Sequence, residues 1–208
     1  MTGPPPAETA VSGRAGRGFC LWLTGLPSAG KTTIARELVP RLQAAGHRVE
    51  LLDGDEIRQG LSSDLGFDRA SREMHAARVT YVAKVLARND VVAIVALISP
   101  YRSSRAKARA EIGRFVEVYV DTPLVVCEER DVKGLYKKAR SGALSGMTGV
   151  DDPYEAPEHP EIVVHTTGRT PGDEAEVVID ELVRLGRLGQ NRSAGPPAAR
   201  PSDEPRAT

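Results

Sequence analysis

Short apolar runs alternate with longer amphipathic stretches through the middle of this chain, the pattern of a parallel sheet with helices on its faces. The first run, Phe19 to Thr24, predicts a buried strand. From about Lys31 the period changes: Ile34, Leu38 and Leu42 recur every four residues on one helical face, and Gly46 supplies a C-terminal cap. A second strand, Val49 to Leu52, ends at Asp53. Val79, Val82, Ala83 and Leu86 predict a helix over Ser71 to Arg88. The uninterrupted run Val91 to Ile98 suits a central strand buried on both faces, and it stops at Ser99-Pro100. A helix over about Ser104 to Gly113 leads into the strand Phe115 to Val120, closed by Asp121. The stretch Leu124 to Arg140 is basic and helical in pattern, residues 151–161 are acidic and Pro-rich, and Pro171 to Leu185 predicts a last packing helix.

Polar residues therefore collect where strands end. In open α/β sheets ligands bind beyond the carboxyl ends of the strands, so this edge is the expected active edge. Charge narrows the choice of partner: 28 basic residues balance 28 acidic ones, so anions must be bound by local placement, and no nucleic-acid partner is expected. The two cysteines, Cys20 and Cys127, lie in apolar stretches and read as buried reduced thiols. With no signal-peptide core and no apolar run long enough to span a bilayer, the expectation is a cytoplasmic protein without a membrane partner. One domain over residues 18–186 is expected, between Pro-, Gly- and charge-rich tails at 1–17 and 187–208 that read as disordered.

The most specific motif is Gly25-Leu26-Pro27-Ser28-Ala29-Gly30-Lys31-Thr32, which fits G-x-x-x-x-G-K-[ST] directly after a strand and before a helix. Such a loop turns successive backbone N–H groups and a helix N-terminus toward phosphates. Lys31 then reaches the β- and γ-phosphates, and the Thr32 hydroxyl sits on Mg²⁺. Residues 25–32 with Thr33 are the expected ATP contacts, and Thr32 with Asp53 the expected Mg²⁺ ligands. The fold class follows: α/β, a P-loop NTPase-type three-layer fold with a mostly parallel central sheet and helices on both faces.

On the acceptor side, Asp53-Gly54-Asp55 places two carboxylates at a strand end, able to hold a metal shell or to take a proton from a hydroxyl. Alone, such a triplet is as often a plain turn. Arg58 offers a fork for a second anion, while Arg72 and Arg78 are either further anion contacts or solvated cations. Arg130, Lys133, Lys137, Lys138 and Arg140 read as a mobile basic lid or as a solvated helix face.

Together these motifs resemble adenylyl-sulfate kinase in order and spacing over about residues 18–186. Besides the P-loop, the resemblance is carried by Leu52-Asp53-Gly54-Asp55-Glu56-Ile57-Arg58, Leu65-Gly66-Phe67, Ile98-Ser99-Pro100-Tyr101-Arg102, the Lys133-Gly134-Leu135-Tyr136-Lys137-Lys138 segment and Thr148-Gly149-Val150-Asp151-Asp152-Pro153-Tyr154-Glu155. It implies Mg-ATP as donor, the 3′-hydroxyl of adenylyl sulfate as acceptor and a tendency toward homodimers. Lys31, Asp55 and Ser99 would be catalytic, with Asp55 the base. Asp53, Asp55, Arg58, Phe67, Arg72, His75, Ile98, Ser99, Lys133, Leu135 and Met147 would line the substrate site, with Phe67 stacked on adenine. The resemblance also implies a phosphoserine at Ser99, although direct in-line transfer needs no covalent step and a hydrogen bond from Ser99 suffices.

Three departures from the family pattern stand out. His75 stands where an asparagine is usual, Met147 where Phe or Leu precedes Thr148, and Ala96-Leu97 where Ser-Phe precedes Ile-Ser-Pro. These keep open another nucleotide-linked acceptor, such as a CDP derivative. A non-catalytic ATP-binding subunit is the remaining alternative, and it would require a broken site.

Overall fold

The computed structural model describes residues 18–189. The tail expected at 1–17, and residues 190–208 of the one expected at 187–208, lie outside the described residues. Five strands, β1 (Cys20–Thr24), β2 (Arg48–Asp53), β3 (Val91–Ala96), β4 (Phe115–Asp121) and β5 (Ile162–His165), form an all-parallel sheet in the order β2-β3-β1-β4-β5. Among the described residues seven helices connect and cover them: α1 (Lys31–Ala44), α2 (Gly54–Gln59), α3 (Arg69–Arg88), α4 (Arg102–Ile112), α5 (Leu124–Arg130), α6 (Leu135–Arg140) and α7 (Pro171–Arg184).

The alternation of a strand decides the layers. Along β1, Leu21 and Leu23 face a core shared with Ile34, Leu38 and Leu42 of α1 and Val178 and Leu182 of α7. Cys20 and Trp22 face the opposite core, with Val79 and Ala83 of α3 and Ala108 of α4. Burial on both sides is why β1, β3 and most of β4 read as unbroken apolar runs. Leu188, beyond the expected domain end at 186, is also buried against the α1–α7 core.

Several boundaries differ from the sequence reading. β3 ends at Ala96, so Leu97 and Ile98 belong to the following loop. Asp68 accepts from Ser71 N and starts α3 at Arg69, two residues early. The expected continuous helix over 124–140 is two helices. Asp131 breaks it, its carboxylate accepting from the backbone N–H groups of Tyr136 and Lys137. β5 was not expected from sequence.

Candidate active site

The P-loop joins β1 to α1 in two tight places. A Cβ at Gly25 would fall 2.6 Å from the Val120 carbonyl oxygen, so only glycine lets the chain leave β1 against β4. Gly30 takes φ 108° as the N-cap of α1, a conformation that aims the first N–H groups of the helix into the loop. Lys31 is buried, and its ammonium donates to the carbonyls of Gly25 (2.9 Å) and Leu26 (2.7 Å). Burial pushes its pKa down to about 8. Thr32 donates to Asp53 Oδ2 at 2.7 Å, while Asp53 Oδ1 accepts from Asp55 N at 2.9 Å and caps α2. Asp53-Gly54-Asp55 is therefore a helix start that holds both carboxylates beside the P-loop.

A cavity of about 1020 Å³ runs along this edge of the sheet. Of the expected site residues, Pro27, Ser28, Gly30, Lys31, Thr32, Thr33, Asp53, Asp55, Arg58, Phe67, Arg72, His75, Ile98, Ser99, Lys133, Leu135 and Met147 line it. Gly25, Leu26 and Ala29 do not; the Leu26 side chain packs toward Gly149, and Ala29 is wholly buried. Such a volume is at the upper end of small-molecule sites and accommodates two substrates side by side.

On the acceptor side, Arg58 lies 4.6 Å over the Phe67 ring and donates to the Gly66 carbonyl at 2.9 Å. Phe67 itself is 65% exposed, leaving ring surface for a ligand. Arg72 donates to the Phe67 carbonyl at 2.6 Å and to Thr148 Oγ1, and so ties two motifs far apart in sequence. Arg78 pairs with Asp64 away from the cavity, the solvated role. His75 is buried, with Nδ1 at 3.0 Å from Ser62 Oγ and Nε2 without a hydrogen-bond partner among the described residues. Burial, and then the charges of Arg58 and Arg78, push its pKa down to about 4, so the ring is neutral at pH 7.

Ser99 has a positive φ of 38° and is buried at the cavity floor. Its hydroxyl accepts from Trp22 Nε1 (3.0 Å) and donates to Thr24 Oγ1 (3.1 Å). Thr24 in turn donates to the Ile98 carbonyl (2.8 Å), which leaves Tyr154 OH as the donor in their 3.0 Å contact. This network joins the Ile-Ser-Pro and Asp-Pro-Tyr segments at the end of β1.

The basic stretch is not one lid. Arg130 and Lys133 line the cavity, whereas Lys137, Lys138 and Arg140 do not, and Arg140 pairs with Glu128. Nor does α6 hang free: Tyr136 is buried and donates to the Pro27 carbonyl at 3.1 Å. Lys133 forms an ion pair with Asp55 across the cavity mouth. Sequence reasoning did not single out Thr166, Arg169 or Glu174, which follow the short β5 and also line the cavity.

The adenylylsulphate kinase family model matches residues 17–165. An adenylyl-sulfate kinase of Synechococcus sp. (strain JA-3-3Ab) is 49% identical over 83% of this chain and 98% of its own length. A probable adenylyl-sulfate kinase of Pyrococcus abyssi is 54% identical over 82% and 98%. Among solved structures, the Mycobacterium tuberculosis APS kinase in complex with AMPPNP and APS superposes with a TM-score of 0.77 at 41% identity, covering 81% of this chain and 99% of that one. A gluconokinase of Sinorhizobium meliloti shares the fold at 17% identity and a TM-score of 0.57. Both the P-loop edge and these likenesses lead to one statement: this chain belongs to the adenylylsulphate kinase family.

Proposed function

We propose that this protein transfers the γ-phosphoryl group of ATP to the 3′-hydroxyl of adenylyl sulfate, giving 3′-phosphoadenylyl sulfate and ADP. The observation that carries the reading is the meeting of Lys31 and Thr32 of the P-loop with Asp55, Arg58, Phe67 and Ser99 in one cavity. In this reading Lys31 leaves the loop carbonyls for the β- and γ-phosphates, where its charge offsets what builds up during transfer. Asp55 accepts the proton of the acceptor hydroxyl, once Lys133 has moved from it toward phosphate. Arg58 and Phe67 hold the acceptor, and Ser99 positions it through hydrogen bonding rather than by forming a covalent intermediate, since its oxygen is already engaged by Trp22 and Thr24.

The residues present fit Mg²⁺. Thr32 Oγ1 and Asp53 Oδ2 are hard oxygen donors 2.7 Å apart at the P-loop, and Mg²⁺ is ordinarily held by one or two protein oxygens with phosphates and water. When bound, the ion would neutralise phosphate charge. Both cysteines are buried free thiols, which supports placement in the reducing cytoplasm; among the described residues no helix is long and apolar enough to cross a membrane.

The deciding experiment follows ADP release from purified protein with Mg-ATP and adenylyl sulfate, beside CDP- and ADP-linked acceptors. Turnover on adenylyl sulfate alone is expected; turnover only on another acceptor would move the function to that substrate. Asp55→Asn is expected to lower kcat by at least a hundredfold with the ATP Kd unchanged. Loss of ATP binding in that variant would instead make Asp55 part of the metal shell.

A further inference from the structure

Beside the P-loop, one buried acid lacks the partners that its chemistry demands. Thr166 Cγ2 and Arg130 Nη1 lie 3.6 and 3.9 Å from where a Cβ of Gly30 would be, so the segment after β5 forms a wall adjoining the phosphate loop. Arg130 donates to both Thr166 Oγ1 (2.9 Å) and the Thr166 carbonyl (3.0 Å) and fixes that wall. The chain then turns through Arg169 into the capping box of α7, where Thr170 and Asp173 satisfy each other, and Glu174 follows in the first turn. Glu174 is 1% exposed and lines the same cavity as Gly30, Thr33 and Thr166. Neither of its carboxylate oxygens has a hydrogen-bond donor among the described residues; Arg169 Nε stands 3.3 Å from Oε1 as an ion-pair partner only.

A carboxylate can only accept, so a ligand lying on this wall is selected for N–H groups. A triphosphate seated on the P-loop has to lay its base against the walls that adjoin the loop. We propose that Glu174 reads the base of the donor nucleotide: its carboxylate accepts from the 6-amino group of ATP and opposes the 6-oxo group of inosine or guanosine triphosphate. This deepens, and rests on, the reading of the chain as an ATP-dependent kinase. A 6-oxo purine would have to shift along its edge, off the position that the P-loop sets for the ring, to bring the neighbouring N1–H to the acid, and a purine with hydrogen at position 6 would leave the acid as unsatisfied as before binding. Discrimination of this kind comes from a buried polar group left unpaired by the wrong ligand.

Donor binding can be measured by titration calorimetry without any acceptor, using ATP, inosine triphosphate and purine riboside triphosphate. The protein is expected to bind ATP at least tenfold more tightly than either analogue. In Glu174→Gln, whose amide can also donate to a 6-oxo group, the inosine nucleotide is expected to come within threefold of ATP. Equal affinity of the unaltered protein for ATP and purine riboside triphosphate overturns the proposal without any variant. So does an unchanged preference in Glu174→Gln, or an equal loss for all three donors, which would leave Glu174 as a structural partner of Arg169. Failure of every triphosphate to bind would sink the kinase reading along with it, whereas equal binding of all three sinks only the role of Glu174.

Discussion

Lys31 and His75 are two buried bases whose charged forms the fold disfavours, and pH separates them from their neighbours. With a pKa near 8, Lys31 is charged at pH 7 in the free protein and becomes neutral as pH rises through 8. The affinity of the free protein for ATP is therefore expected to weaken above pH 8, as read by calorimetry across pH 7 to 9.5. Lys31→Ala is expected to cut turnover at least a hundredfold while the protein still folds, its stability changed by no more than the roughly 1–2 kcal/mol of the lost bonds to the Gly25 and Leu26 carbonyls. Near-normal turnover would refute the assignment of the loop.

For His75 the direction is opposite to that of a salt-bridged histidine. Its folded pKa of about 4 lies below the unfolded value near 6.5, so between these limits the unfolded chain binds more protons and stability falls as pH drops. His75→Asn removes this linkage. Urea titrations at pH 7 and pH 4.5 should show the original protein losing on the order of 2 kcal/mol more than the variant, since one proton bound only by the unfolded chain costs about 1.4 kcal/mol for each pH step of one below 6.5. Equal losses would mean that the imidazole is not desolvated as the structure has it.

Among elements, α6 shows how a short helix is fastened to the site it serves. Tyr136 fills the core and bonds the carbonyl of Pro27, the P-loop residue with no N–H to offer phosphate. Tyr136→Phe keeps the ring and leaves that carbonyl unpaired. A cost of about 1 kcal/mol and a severalfold rise in the KM for ATP are expected, checked by thermal melts and initial rates. An unchanged KM would show that the anchor stabilises the fold without setting the loop.

The elements legible in the sequence were those with their own periodicity: β1, β2, β3, β4, α1, α3, α4 and α7 all stand close to where the apolar pattern puts them. The P-loop was legible because its chemistry is local, with loop, lysine and hydroxyl contiguous. β5 has only four residues and owes its existence to pairing of Ile162 with Val118 across the sheet. α2 was hidden because Asp-Gly-Asp serves equally well as a turn, and the cap on Asp55 N decides between the two. The break between α5 and α6 depends on one carboxylate turning inward at Asp131, which leaves the composition on either side unchanged. Glu174 gave no signal, since an acid in the first turn of a helix is ordinary until its burial is known.

At the scale of the whole molecule, the strand that comes first in the chain lies in the middle of the sheet, flanked by β3 and β4. Cys20 is in register with Ala93 on one side and Phe115 on the other, so neither neighbour of β1 exists until a long stretch of chain has been made. Closing such loops precedes any gain from strand pairing, which makes parallel sheets of this kind slow to form. During synthesis the P-loop therefore emerges well before the strands that hold it and is among the last segments to acquire its shape. A nascent chain arrested before residue 115 would carry an apolar central strand with one edge unpaired, a species open to aggregation and to chaperone capture, while one extended past β4 should resist proteolysis. The centrality that makes β1 a rigid base for phosphate binding also fixes how long the newborn protein stays vulnerable.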